Sequence, residues 1–129
     1  MIKLIKNEEK YWEFLRTLRN DPSVRTGFIQ QEQIASADHK RFMEKYGDCY
    51  YICLVDNTPA GFVGVIDNDI RVATSPEFQR QGLGKFMIQE LGERRPHSIA
   101  KVKVENEASL RLFESCGFIR KYYLLEKEK

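Results

Sequence analysis

The sequence predicts an α+β (mixed α/β) fold with the element order β-α-α-β-β-β-α-β-α-β. Three observations carry this. Runs rich in aromatic and β-branched residues follow one another across short turns in the middle of the chain. Stretches with apolar residues at helical spacing separate the outer runs. With 129 residues, 42% hydrophobic and 31% charged, the chain suits one globular domain spanning 1–129. A hairpin-rich sheet with helices on both faces buries such surfaces, and two late β-α-β crossovers should add parallel pairing to make the sheet mixed.

The elements follow in order. "MIKLIK" alternates as a short strand. In "NEEKYWEFLRTLRND", Tyr11, Phe14, Leu15 and Leu18 recur at helical spacing, with Asn7 as the capping residue. "DPSVRTGFIQQEQI" breaks the pattern with Asp21-Pro22 and Gly27, and reads as a loop or irregular helix. "SADHKRFMEKYG" is a short helix with Ser36 as N-cap and Gly47 as stop. "CYYICLVD" and "TPAGFVGVID" form an antiparallel hairpin across an Asn57-Thr58-Pro59 turn. Asp67-Asn68-Asp69 is the next turn, and "IRVATS" is the third strand of the group, ended by Pro76. The helix "GLGKFMIQELGER" follows, with apolar residues at Leu83, Phe86, Met87, Ile88 and Leu91. After Pro96, "SIAKVKV" reads as a strand, "NEASLRLFESCG" as a helix capped by Asn106 and ended by Gly117, and "FIRKYYLLEK" as a final strand.

Bulk properties exclude several classes. A net charge of +2 is too small to argue for nucleic acid, so any anion site must be local. Cys49, Cys53 and Cys116 are odd in number and form no CxxC pair; without a leader this favours reduced thiols and a cytoplasmic protein. There is no long apolar run to span a membrane and no cleavable leader. No ligand cluster points to a metal.

The stretch "SPEFQRQGLGKFMIQEL" carries the chemistry. Two glycines, Gly82 and Gly84, stand where a helix begins beside basic residues. A phosphate loop of the GxxxxGK[S/T] kind fails, because Phe86 follows Lys85 and the glycine spacing differs. A dinucleotide fingerprint fails as well, because Met87 stands where the third glycine belongs. The physical basis of an anion site survives both exclusions. Glycine admits close backbone approach, and the N–H groups of a helix N-terminus favour negative charge.

"QRQGLG" resembles the Q/R-x-x-G-x-G/A signature of the GNAT superfamily of acetyl-CoA-dependent N-acyltransferases. It follows a strand and opens a helix, as it does there. "NEASLRLFESCGF" is similar to the superfamily's second motif, an Asn-initiated helix ending in Gly-Phe, at the expected order and distance. The resemblance runs along nearly the whole chain, most securely from about residue 50. It implies a GNAT-like domain in which two neighbouring parallel strands, here "IRVATS" and "SIAKVKV", splay around the pantetheine arm of acetyl-CoA. Val72, Ala73 and Thr74 would then pair with pantetheine amides as an added strand does. Amides from Gln79 through Arg80, Gln81, Gly82, Leu83 and Gly84 to Lys85 would hold the pyrophosphate. The Arg80 and Lys85 side chains either meet phosphate or are solvated surface charge. Asn106 would contact the pantetheine, with Leu112 and Phe113 packed near the thioester.

The implied reaction is direct attack of an amine on the acetyl thioester. It needs a base for the amine, a donor for the oxyanion and a proton for the leaving thiolate. Many members supply that proton from a Tyr on the second-motif helix; the matching residue here is Phe113, which has no hydroxyl. Ser109, one helical turn earlier, is either the substitute acid and a cofactor contact or a support for the helix start. His39 and Glu32 fall in the segment that covers the acceptor, His39 as a candidate base and both as acceptor contacts. Tyr122 is a further acceptor contact or packing residue. Asp67 and Asp69 read as turn formers, and Cys116 as a small apolar filler.

"RNDPSVR" and "ADHKRFMEK" resemble the ribosomal-protein N-terminal and amino-sugar acetyltransferase branches. The expected acceptor is a small-molecule amine, an amino sugar among others, or alternatively a peptide or protein amine. The non-enzymatic alternative is a CoA-binding sensor, which Phe113 keeps open. A homodimer is the expected assembly.

Overall fold

A computed structural model describes residues 1–28 and 33–128. Four strands form one antiparallel sheet in the order β1-β2-β3-β4: β1 (Ile2–Lys6), β2 (Tyr50–Val55), β3 (Thr58–Ile66) and β4 (Asp69–Thr74). The helices are α1 (Trp12–Asn20), the single turn α2 (Pro22–Arg25), α3 (Ser36–Tyr46), α4 (Leu83–Arg94) and α5 (Glu107–Ser115).

The expected layering is present, and strand alternation produces it. Tyr51, Cys53, Val63, Val65 and Ile70 point to one face and are covered by Leu83, Met87, Ile88 and Leu91 of α4. Tyr50, Ile52, Phe62, Ile66 and Ala73 point to the other, under Leu15 and Leu18 of α1 and Met43 of α3. Burial pushes the Cys53 thiol up to about 11, which makes it an inert core group.

Both central turns are two-residue hairpin turns with left-handed centres, Asp56-Asn57 and Asp67-Asn68, where short polar side chains tolerate positive φ. The first therefore lies one residue earlier than expected. Thr58 and Pro59 belong to β3, and Pro59 fits there because the register shifts between Cys53 and Leu54, opposite it. Asn7 does not cap α1. Its Nδ2 donates to the Gly47 carbonyl at 3.2 Å, and a 3-10 turn, Glu9–Tyr11, leads into the helix. Ser36 is the first residue of α3 rather than its cap, which is Ala35. Gly47 keeps right-handed backbone (φ −55°) and feeds a second 3-10 turn, Gly47–Cys49.

The two late strands do not form. Residues 98–104 make one parallel bridge, Asp69 with Ile99. There the Ile70 N–H donates to the Ile99 carbonyl at 2.9 Å and the Ile99 N–H to the Asn68 carbonyl at 2.7 Å. Beyond it the chain leaves β4, because Ala100 and Val102 pack toward the α4 core. Residues 118–127 have strand-forming composition but pair with no strand among the described residues. Ile119 through Leu125 include four large apolar side chains between 71% and 89% exposed, and Tyr123 at 94%. Apart from the bridge, the sheet is thus antiparallel rather than mixed. No helix among the described residues is long and apolar enough to cross a membrane.

Candidate functional site

The divergence of residues 100–104 from β4 leaves the outer edge of β4 open. Within a strand, a residue's N–H and C=O point to the same side, and its neighbours' point to the other. Ile70 bonds outward, to Ile99. Val72 and Thr74 therefore also face outward, while Arg71 and Ala73 bond back to β3. Beside this edge lies a cleft of about 190 Å³ lined by Val72, Ala73, Thr74, Gln79, Asn106, Ser109 and Phe113, among others. Its far wall is tied down where the Lys103 ammonium donates to the Thr26 carbonyl at 2.9 Å.

The chain leaves β4 through a 3-10 turn, Pro76–Phe78, and enters the glycine loop. Gln79 Nε2 reaches back to the Thr74 carbonyl at 3.5 Å. Arg80 is left-handed at φ 67° and Gly82 at φ 76°, so the backbone reverses twice before α4 starts at Leu83. The first helical bond from this end is Phe86 N–H to the Gly82 carbonyl at 3.1 Å. The amides of Leu83, Gly84 and Lys85 are left without helical acceptors and point out of the helix end. The Leu83 side chain is core, so only its backbone faces the loop, and the Arg80, Gln81 and Lys85 side chains are exposed. A Cβ on Gly84 would come 3.0 Å from Leu112, so α4 and α5 pack closely there. Leu112 itself is partly buried and does not line the cleft.

α5 starts as the sequence predicts. Asn106 Oδ1 accepts from the Ser109 N–H at 3.2 Å. It ends at Gly117 (φ 94°), with Phe118 N–H on the Phe113 carbonyl at 3.1 Å. Ser109 and Phe113 lie one turn apart and face the same cleft, with Phe113 edge-on to Phe118 at 5.2 Å between ring centres.

A second cavity, of about 290 Å³, lies on the opposite face of the sheet between α1, α3 and the strands. His39 lines it and Ser109 does not, so the two candidate catalytic residues belong to different hollows. Arg71 lines both. His39 is buried, and its Nε2 lies 2.8 Å from the Trp12 carbonyl. A carbonyl only accepts, so Nε2 carries the proton and Nδ1 keeps its lone pair. Burial lowers the imidazole's pKa below its usual value, against the opposing pull of the Trp12 hydrogen bond. The unfolded chain therefore takes up a proton at a pH where the folded chain does not. The resulting stability is complete above about pH 6.5 and is lost as pH falls from there through the folded pKa. Thermal melts of wild type should drop between pH 7.5 and 5.5, and His39→Gln, which retains a donor, should remove that part of the drop. Parallel melting curves in the two proteins would exclude the assignment.

Glu32 lies outside the described residues, and Tyr122, 87% exposed on the tail, lines neither hollow. Cys116 is half-buried at the rim of the α4 core. The sequence reading missed Arg71 and Tyr50. A single charged residue inside the apolar run "IRVAT" was the available signal. Among the described residues, no group of three or more His, Cys, Asp or Glu side chains could hold a metal ion.

A family model described as "Acetyltransferase (GNAT) family" matches residues 7–118. No curated protein matches the chain in sequence. Among solved structures, spermidine N-acetyltransferase from Vibrio cholerae in complex with CoA and spermine is similar, with a TM-score of 0.84 and 19% identity, over 98% of this chain and 85% of that one. The aminoglycoside acetyltransferase AAC(6')-Iy with a CoA bisubstrate analogue has a TM-score of 0.73 and 15% identity, over 100% and 98%. Ribosomal-protein-alanine N-acetyltransferase from Brucella melitensis has a TM-score of 0.76 and 15% identity, over 91% and 83%.

Proposed function

This chain belongs to the acetyltransferase (GNAT) family, and we propose that it moves an acetyl group from acetyl-CoA to a primary amine by direct attack in a ternary complex. One observation carries the reading. The open edge of β4 at Val72 and Thr74 runs directly into the glycine loop and the N-terminus of α4. An extended amide-bearing arm with a pyrophosphate at its end needs that sequence of sites.

In this reading Val72 and Thr74 pair with the pantetheine amides, and an outward β4 N–H stabilises the oxyanion. The backbone from Gln79 to Lys85 holds the pyrophosphate. Asn106 and Phe113 flank the arm, and Leu112 supports the α4–α5 contact beside it. The amine nitrogen attacks the thioester carbon, the C–S bond breaks, the amine proton leaves to a base, and the thiolate sulfur takes a proton. Ser109 is the proton donor, and the neutral His39, with Nδ1 available, is the base through intervening water. Phe113 lacks the hydroxyl that would do the donor's work, and it favours a second reading, a CoA-binding module without turnover.

The acceptor is a small amine such as an amino sugar, or alternatively a protein α-amine or lysine. The similar structures belong to enzymes for spermidine, aminoglycosides and a ribosomal-protein alanine, which supports a primary amine. A second copy of the chain is the expected partner, supported by the exposed apolar tail and by the dodecameric spermidine enzyme among the similar structures. Three free thiols support a reducing, cytoplasmic setting. Acetyl-CoA should raise the melting temperature by several degrees at a hundredfold excess over Kd, while ATP and NAD should not. Thiol release over an amine panel should then separate enzyme from sensor. Absence of stabilisation by any CoA species would sink both readings.

A further inference from the structure

Among its described lining residues, the second cavity carries two arginines, Arg19 and Arg71, and one carboxylate, Asp38. We propose that the acceptor amine also carries an anionic group, a carboxylate or a phosphate, and that Arg71 receives it. The inference rests on the acetyl-transfer reading, because it takes this cavity as the acceptor's half of the site.

Three residues lie in one row across the sheet. Tyr50 is opposite Gly64 and Gly64 is opposite Arg71. All three point to the α1/α3 face. A Cβ on Gly64 would fall 2.5 Å from the Tyr50 ring, so the ring lies across the glycine, where no other residue would leave room. The phenol so placed lies within electrostatic reach of the Arg71 guanidinium. Burial holds that phenol in its neutral form, so it does not cancel the guanidinium's charge. No ion pair to Arg71 occurs among the described residues.

Among the described residues, the charged side chains lining the cavity are Arg71, Arg19 and Asp38. α1 contributes Arg19, whose guanidinium lies over the Phe28 ring at 3.8 Å. α3 contributes Asp38, paired with Arg41 on the surface, and His39, neutral and held by Trp12. Arg71 also lines the first cleft, so its charge sits where the two hollows meet. A guanidinium there offers a planar fork to a carboxylate or phosphate. It also disfavours the protonated form of an amine bound beside it, and only the free amine attacks.

The test uses the intact protein, acetyl-CoA and thiol release, with matched acceptors: propylamine against β-alanine, glucosamine against its phosphate ester, and spermidine. The acidic member of each pair should have at least tenfold higher kcat/KM than its neutral partner, and spermidine should be poorest. Whichever pair shows the larger gap identifies carboxylate or phosphate. Arg71→Gln should abolish the preference through KM, Arg71→Lys should retain part of it, and Arg71→Glu should shift preference toward spermidine. Stabilisation of each variant by acetyl-CoA shows that it is folded. If wild type is stabilised by acetyl-CoA but prefers spermidine or neutral amines, or turns over no acidic amine, the inference is overturned. If acetyl-CoA does not bind at all, the failure lies with the acetyl-transfer reading.

Discussion

Replacing Gly82 with aspartate should weaken acetyl-CoA binding about ten- to a hundredfold in a calorimetric titration, while the unliganded protein should remain folded. Gly82 is left-handed at φ 76°, directly before α4, and nothing lies within 4 Å of where a Cβ would stand. The cost is therefore not a clash. A left-handed non-glycine residue costs about 1–2 kcal/mol, least for Asn and Asp. The larger effect is that a carboxylate at a helix N-cap accepts from the same amides that a phosphate would use. It would occupy the proposed site from within the chain and repel an incoming pyrophosphate. A loss of about 1.4–2.8 kcal/mol corresponds to that ten- to hundredfold range. Gly82→Asn separates the contributions, since it keeps the backbone tolerance without the charge and should lose less. Unchanged affinity in Gly82→Asp would contradict the pyrophosphate assignment.

Ser109→Ala should lower kcat about tenfold or more with acetyl-CoA affinity within about twofold of wild type. General acid catalysis contributes roughly 10²–10⁴-fold where the leaving group is poor. A thiol of pKa about 8.5 needs less help, which sets the lower figure. Phe113 lies one turn further along the same face of α5 and lines the same cleft. Phe113→Tyr in the Ser109→Ala background should recover turnover, because it returns a hydroxyl to the wall of that cleft. Equal turnover in wild type and Ser109→Ala rejects Ser109 as the acid.

Features that depend on a few consecutive residues were legible before the fold was seen. The Asn106 cap, the Gly117 stop and the start of α4 at the glycine loop are local backbone chemistry, and each lies where it was read. The hairpin turn at Asp56-Asn57 was read one residue late, because Thr58-Pro59 is turn chemistry that a register shift in the facing strand absorbs. Residues 98–104 and 118–127 show the limit most clearly. Their composition favours extended chain, but a strand exists only where another edge takes its hydrogen bonds. One segment found a single bridge, and the other found none. The sheet therefore lost its parallel half, and the same loss opened the cleft along β4.

The sequence alone determined the layering, the glycine loop at the head of α4 and the Asn-capped helix packed beside it. Alternation and capping act between residues close together in the chain, so they can be read along it. The tertiary structure decided that Ser109 and His39 occupy separate hollows and that Arg71 stands between them. It also laid Tyr50 across Gly64, in the same row as Arg71. Those relations are set by strand register, and register brings together residues whose positions in the chain carry no mutual signal.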